Sequence, residues 1–66
     1  MPVDYKKLWI ILLDRNISKP QFRKITNLSS ATFTKLNRNE YVSMEVLTKI
    51  CFALDCNVGD IIDVVK

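Results

Sequence analysis

Residues 18–38 read SKPQFRKITNLSSATFTKLNR, and this stretch decides the fold. Ser18 and Ser29 each follow an apolar residue and precede another apolar residue four positions later, which is typical of a capped helix start with a hydrophobic staple. Gln21 is also placed to reach back to the backbone N–H of Ser18. Asn27 accepts the left-handed conformation that ends a helix. The pattern predicts two short helices joined by a tight turn.

The same capping pattern recurs at Ser43 and Asn57, in a chain with one glycine, two prolines and apolar residues at helical spacing. We therefore predict an all-α fold, a compact five-helix domain spanning residues 1–66. The predicted helices are Tyr5–Arg15, Lys19–Thr26, Ser30–Asn37, Met44–Leu54 and Val58–Val64.

The 3.6-residue period also predicts which side chains form the core. These are Tyr5, Leu8, Leu12, Phe22, Ile25, Leu28, Phe33, Leu36, Val46, Leu47, Ile50, Leu54 and Ile61. The first and last predicted helices carry more apolar residues than a narrow stripe can bury, so the surplus either wraps around this small core or forms a homodimer interface. The candidate interface residues are Trp9, Ile10, Leu13, Cys56, Ile62 and Val65.

Charge is distributed unevenly along the chain, whose formal net charge is +3. Residues 15–39 carry six lysines and arginines and no acidic residue, whereas residues 40–66 carry two lysines against five acids. The basic block coincides with the predicted helix pair. One side of the fold should therefore face a polyanion.

A helix pair of these dimensions matches a DNA-binding helix-turn-helix, whose second helix lies in the major groove. Spacing alone is weak evidence, because many helical proteins contain such a pair. The unopposed cations of residues 15–39 make double-stranded DNA the favoured partner.

The stretch FRKITNLSSATFTKL, residues 22–36, resembles the lambda-repressor and Cro-like (Xre-like) helix-turn-helix family. The resemblance spans nearly the whole chain, since the tail NVGDIIDVV looks like that of short single-domain Xre-like regulators of bacteria and their mobile elements. Two positions depart from the family pattern. Asn27 stands where glycine is usual, and Lys19 stands where many members have a phosphate-contacting glutamine.

The resemblance implies a set of groove-facing residues in the second helix of the pair: Ser29, Ser30, Ala31, Thr34 and Lys35. Serine can hydrogen-bond several base edges, alanine and the threonine methyl can pack on a thymine methyl, and lysine can donate to guanine. Since no Arg, Asn or Gln begins this helix, DNA shape should carry much of the specificity. For Ser29, capping of the helix alone is the alternative role.

Phosphates are expected to contact residues at both ends of the pair: Lys19, Arg23, Asn37, Arg38 and Asn39. For Arg23 and its neighbour Lys24, a role as the solvated face of the helix is equally compatible with the sequence. The overall prediction is a cytoplasmic transcriptional regulator, a repressor, that binds DNA as a homodimer.

Other functions fit less well. The chain has no histidine and two cysteines, so it cannot complete a zinc site of the usual ligands, and both cysteines are expected to be reduced. With no Gly-rich phosphate loop and no nucleophile beside a base, neither an enzyme nor a cofactor or small-molecule effector is expected. The longest apolar run, Leu8–Leu13, is six residues, too short for a membrane span.

Two binding alternatives remain open. A protein-interaction module of antitoxin or anti-repressor type would use the same helical scaffold and bind a protein through Trp9, Ile10 and Leu13. RNA binding is less favoured, because no aromatic stacking platform is evident.

Overall fold

The computed structural model describes residues 2–66, in which four α-helices lie between two short strands. In chain order the elements are β1 (Val3–Asp4), α1 (Lys6–Asp14), α2 (Lys19–Thr26), α3 (Ser30–Asn37), α4 (Met44–Leu54), a 3-10 turn (Val58–Asp60) and β2 (Asp63–Val64). The helices α2, α3 and α4 begin and end at the predicted residues. The first helix is one residue shorter at each end, because Tyr5 and Arg15 are its flanking cap positions.

Local capping explains why the helix starts could be predicted. The Ser18 hydroxyl accepts from the Gln21 N–H at 3.2 Å, and the Gln21 side chain accepts from the Ser18 N–H at 3.0 Å, which completes a capping box. Ser29 and Ser43 cap α3 and α4 in the same way, each accepting a backbone N–H at 3.2 Å. Asn27 ends α2 at φ 54°, in the predicted left-handed conformation.

The prediction of a fifth helix at Val58–Val64 is wrong. Only a 3-10 turn forms at Val58–Asp60, and the chain then enters β2, which pairs antiparallel with β1. Val3 lies opposite Val64, and the Val65 N–H donates to the Pro2 carbonyl at 2.9 Å. The N-terminal segment thus supplies hydrogen-bonding partners to a β-branched sequence that also suits a strand. The fold is mostly helical rather than all-α.

The core is one cluster of buried apolar side chains drawn from nearly every element: Val3, Tyr5, Leu8, Leu12, Phe22, Leu28, Leu36, Leu47, Ile50, Leu54 and Ile61. Phe33 and Val46 pack at its edge. One core prediction is wrong, because Ile25 is 55% exposed and its neighbour Thr26 is buried instead. The Thr26 hydroxyl donates to the Phe22 carbonyl at 2.7 Å, which satisfies this buried polar group within its own helix.

Tyr5 connects the start of α1 to the segment that follows α3. Its hydroxyl donates to the Glu40 carbonyl at 2.6 Å, and its backbone N–H donates to the Asn39 side-chain oxygen at 3.3 Å. Burial raises the pKa of the Tyr5 phenol, so the neutral donor is the form that the fold favours. This contact helps hold the end of α3 in place.

Replacing Tyr5 with phenylalanine is expected to lower the free energy of unfolding by about 1 kcal/mol at neutral pH, because the Glu40 carbonyl loses its donor. The raised pKa means that the Tyr5 contribution is present below the ordinary tyrosine pKa of about 10 and is lost as pH rises above it. Urea unfolding at about pH 7 and about pH 10.5 should therefore show a smaller alkaline loss in Tyr5→Phe than in the parent chain.

The matched control for this variant is Tyr41→Phe, since Tyr41 is 54% exposed. It should unfold like the parent chain at both pH values. Equal alkaline losses of stability in the Tyr5→Phe variant and the parent would contradict the assignment of this titration to Tyr5.

Across residues 2–66, each helix is too short or too polar to cross a lipid bilayer.

Candidate nucleic-acid interface

One side of α3 is free of core contacts. Ser30, Ala31, Thr34 and Lys35 are all exposed, and their spacing places them on one face of the helix. We call these four residues the exposed face of α3. The opposite side buries Leu36 completely. The amphipathic pattern of α3 thus turns most of the predicted base-contacting residues toward solvent.

Aromatic packing fixes α2 and α3 relative to α1. Trp9 of α1 makes edge-to-face contacts with Phe22 of α2, at 6.1 Å between ring centroids, and with Phe33 of α3, at 6.3 Å. Leu28, in the turn between the two helices, is also buried. For Trp9, the packing against the helix pair agrees with the first of the two expected roles for the surplus apolar residues, which is to wrap around the core.

Lys19 and Asn37 come together although they lie at opposite ends of the helix pair in sequence. The Lys19 ammonium donates to the Asn37 side-chain oxygen at 2.8 Å and lies 4.4 Å from the centroid of the Trp9 ring. The Asn37 amide nitrogen in turn donates to the Phe33 carbonyl at 3.1 Å. These contacts hold the ammonium in place while leaving N–H groups on it for a phosphate.

Two hydroxyls near the exposed face of α3 are already engaged with the protein. Ser29 caps α3 and also donates to the Thr32 hydroxyl at 3.0 Å, which agrees with a capping role. The Thr34 hydroxyl donates to the Ser30 carbonyl at 2.9 Å. With its proton engaged, Thr34 offers a base its methyl group and the lone pairs of its hydroxyl oxygen.

Arg23 reaches across the turn between the helices. A terminal nitrogen of its guanidinium donates to the Ser30 hydroxyl, and its Nε lies 3.5 Å from the Leu28 carbonyl oxygen. The charge of Arg23, a candidate for either a phosphate contact or the solvated face of its helix, therefore lies beside the first residue of α3. Sequence spacing did not reveal this pair, because its members belong to different helices.

Arg38 and Asn39 follow α3. Arg38 is exposed, and its backbone N–H continues the helix by donating to the Thr34 carbonyl at 3.1 Å. The Asn39 side-chain oxygen accepts from Tyr5, which leaves the amide N–H groups of Asn39 as the available donors. Both residues can thus offer donors to a phosphate next to the end of α3.

No cation of the basic block, residues 15–39, forms an ion pair with a carboxylate in the described residues. Within residues 2–66, the one ion pair joins Lys7 and Asp63, at 3.2 Å, outside this block. Arg15 donates to a backbone oxygen instead, since its guanidinium bonds the Leu54 carbonyl at the end of α4. All six cations are therefore left without a carboxylate partner in the part of the chain that the structure describes.

The remaining candidates for a dimer interface lie on α1 and in the segment that follows α4. Ile10 and Leu13 are exposed, at 47% and 77%, and Ile10 lines a shallow surface pocket together with Cys56. Val65 is exposed and Ile62 is half-buried.

Burial raises the pKa of the Cys56 thiol, and the adjacent Cys51 raises it further, which favours the neutral thiol.

A model of the Cro/C1-type helix-turn-helix DNA-binding domain matches residues 7–66. The chain belongs to this family. The match includes residues 22–36 and confirms the family resemblance found there.

A solved relative of this Cro/C1-type domain has the same fold. The crystal structure of the transcriptional regulator VanUg superposes with a TM-score of 0.91 and is 47% identical in sequence. The match covers 94% of this chain and 83% of that one. No curated protein sequence matches the chain.

Proposed function

We propose that this Cro/C1-type domain binds double-stranded DNA at specific sequences and regulates transcription as a repressor. The observation that carries the proposal is the exposed face of α3, flanked by cations that have no carboxylate partner in the described residues. The transcriptional regulator VanUg, which shares the fold at 47% identity, supports a regulatory role.

In the proposed complex, α3 lies in the major groove and its exposed face contacts the base edges. Ala31 and the Thr34 methyl pack on thymine methyl groups, and Lys35 donates to guanine. Lys19 and Asn37 together bind the DNA backbone at one end of the helix pair. Arg38 and Asn39 bind further phosphates. Ser29 acts through the cap that orients α3.

We further propose that the functional unit is a homodimer, since one helix-turn-helix reads only a few base pairs and paired recognition helices lie about 34 Å apart on the DNA. The exposed side chains of Ile10, Leu13 and Val65, with Cys56 and Ile62 beside them, form the proposed interface. We leave Trp9 out of it because this ring packs against Phe22 and Phe33.

The decisive experiment is selection of bound sequences from random duplexes, followed by titration of the selected duplex at low salt. We expect a near-palindromic site bound by two chains. Transcription from a promoter that contains this site should fall when the protein is added, whereas a rise would make the protein an activator. Absence of binding at low salt would contradict the proposal and favour the protein-interaction module through Ile10 and Leu13.

Single alanine variants should separate base contacts from phosphate contacts. Lys35→Ala is expected to weaken binding by about 1–3 kcal/mol on the selected site and to relax base preference at one position. Arg38→Ala should weaken binding about equally on all sequences and make the salt dependence shallower. Competition binding against single-base variants of the site measures both effects.

Lys49→Ala is the matched control, because Lys49 is an exposed lysine of α4 in the acidic part of the chain. It removes the same charge as Lys35→Ala and should change neither affinity nor base preference appreciably. If Lys35→Ala behaved like this control, the proposed orientation of α3 in the groove would be wrong.

A further inference from the structure

Arg23 and Ser30 form a polar pair that joins α2 to the first residue of α3. One terminal nitrogen of the Arg23 guanidinium, Nη2, donates to the Ser30 hydroxyl, and Nε lies 3.5 Å from the Leu28 carbonyl oxygen. The two contacts fall on either side of the cap at Ser29. An exposed arginine is thereby held in one direction rather than left to move freely in solvent.

The contacts leave a defined set of donors facing outward. A guanidinium has five N–H groups in one plane. In Arg23 one N–H on Nη2 donates to Ser30, and the N–H on Nε points toward the Leu28 carbonyl. Both Nη nitrogens retain an N–H. Because the Ser30 oxygen accepts from Arg23, the Ser30 hydroxyl proton points elsewhere and adds another donor. One lone pair of the Ser30 oxygen stays free, but the groups that the pair presents are mainly donors.

Electrostatics favours an acceptor-rich partner for this pair. The N-terminus of α3 carries the positive end of the helix dipole, so a guanidinium beside it is disfavoured in the free protein. No acidic residue occurs between residues 15 and 39 to offset this charge. An incoming group with two acceptors would offset the repulsion between the Arg23 guanidinium and the N-terminus of α3. It would also accept hydrogen bonds from the free N–H groups of Arg23.

Guanine is the base with that pattern. In the major groove it presents O6 and N7, both acceptors, which a planar fork can bind in a bidentate manner. Adenine and cytosine each present an amino donor there, which would oppose the donors of Arg23 and Ser30. Thymine offers one acceptor and a methyl group.

Position distinguishes a base from a phosphate as the partner. In a helix-turn-helix complex the N-terminal residues of the recognition helix contact base edges, while the preceding helix crosses the backbone. Arg23 belongs to the preceding helix, but its guanidinium is bonded to the first residue of α3. We propose that Arg23, oriented by Ser30, is a specificity-determining residue that binds a guanine in each half-site. The inference rests on the proposed DNA binding.

The test compares sequence selection by the parent chain, Arg23→Ala, Arg23→Lys and the control Lys24→Ala, which removes the neighbouring exposed charge. The parent and Lys24→Ala are expected to select a guanine at one position of each half-site. Arg23→Ala should lose that preference by about 10-fold to 100-fold, and Arg23→Lys should also lose most of it because an ammonium cannot form the fork. Circular dichroism checks that all four chains are equally helical.

A modified duplex sharpens the assignment. Placing 7-deazaguanine at the selected position removes the N7 acceptor and should weaken binding of the parent chain, but not of Arg23→Ala. If Arg23→Ala weakened binding equally on all sequences and made the salt dependence shallower, Arg23 would be a phosphate contact, and the proposal would be overturned while DNA binding stood. If the parent chain bound no duplex, the proposed function itself would fail.

Discussion

Replacement of Phe22 by alanine is expected to lower the free energy of unfolding by about 3–5 kcal/mol. Phe22 is completely buried, contacts Trp9 edge-to-face and anchors α2 to the core. Truncation of a buried phenylalanine to alanine costs about 3–5 kcal/mol, because the lost burial is added to the energy of the cavity. A domain of this size has a total stability of about 3–10 kcal/mol, so this loss removes a large part of it.

Phe52→Ala provides a matched control, because Phe52 lies on α4 and is 84% exposed. The same atoms are deleted, but few contacts are lost, and we expect the midpoint of urea unfolding to stay within experimental error of the parent. Circular dichroism at 222 nm is a suitable measurement of helix content. Similar midpoints for Phe22→Ala and Phe52→Ala would contradict the core described above.

The affinity for DNA is expected to fall about 10⁴-fold between 50 and 200 mM salt for a bound homodimer. We estimate about four phosphate-neutralising cations per protomer, which corresponds to a slope of about −3.6 per protomer in a plot of log affinity against log salt. The cations available for this are those of the helix pair and its flanks, such as Lys19 and Arg38, since Arg15 is engaged with Leu54. Fluorescence anisotropy at several salt concentrations gives the slope.

Removing one phosphate contact should reduce the magnitude of this slope by the contribution of one cation. Lys19→Ala is expected to lower its magnitude by about 0.9 per protomer, whereas Lys49→Ala, on the acidic part of the chain, should leave it unchanged. A salt-independent affinity in the parent chain would be incompatible with a phosphate-bound helix-turn-helix. It would point to association through apolar residues such as Leu13.

The helix pair could be predicted nearly to the residue because its signals are local. The caps at Ser18 and Ser29 bond to backbone groups three positions ahead, and Asn27 adopts its left-handed conformation within the turn itself. The C-terminal segment also has a local cap, in which the Asn57 N–H donates to the Asp60 carboxylate at 2.9 Å, but only a 3-10 turn follows it. Its β-branched residues suit either a helix of suitable period or a strand, and only the pairing of Val64 with Val3 selects the strand.

The sequence predicted which residues make up the candidate site, but not the contacts that they make with one another. Periodicity places Ala31, Thr34 and Lys35 on one exposed face, and composition shows that no acid accompanies them. The same reasoning made Arg23 a candidate for either a phosphate contact or the solvated face of its helix, and found no arginine at the start of α3. Its bond to Ser30 depends on the angle between two helices, which no local pattern contains.

By itself, therefore, the sequence determined the bounds of α2, α3 and α4, the tight turn at Asn27 and the concentration of positive charge on residues 15–39. Tertiary structure alone decided the strand pair that closes the two ends of the chain and the placement of Trp9 beneath Lys19. The physical reason is range. Capping and helical period act within about four residues, whereas strand pairing and contacts between helices require segments to meet that are distant in sequence.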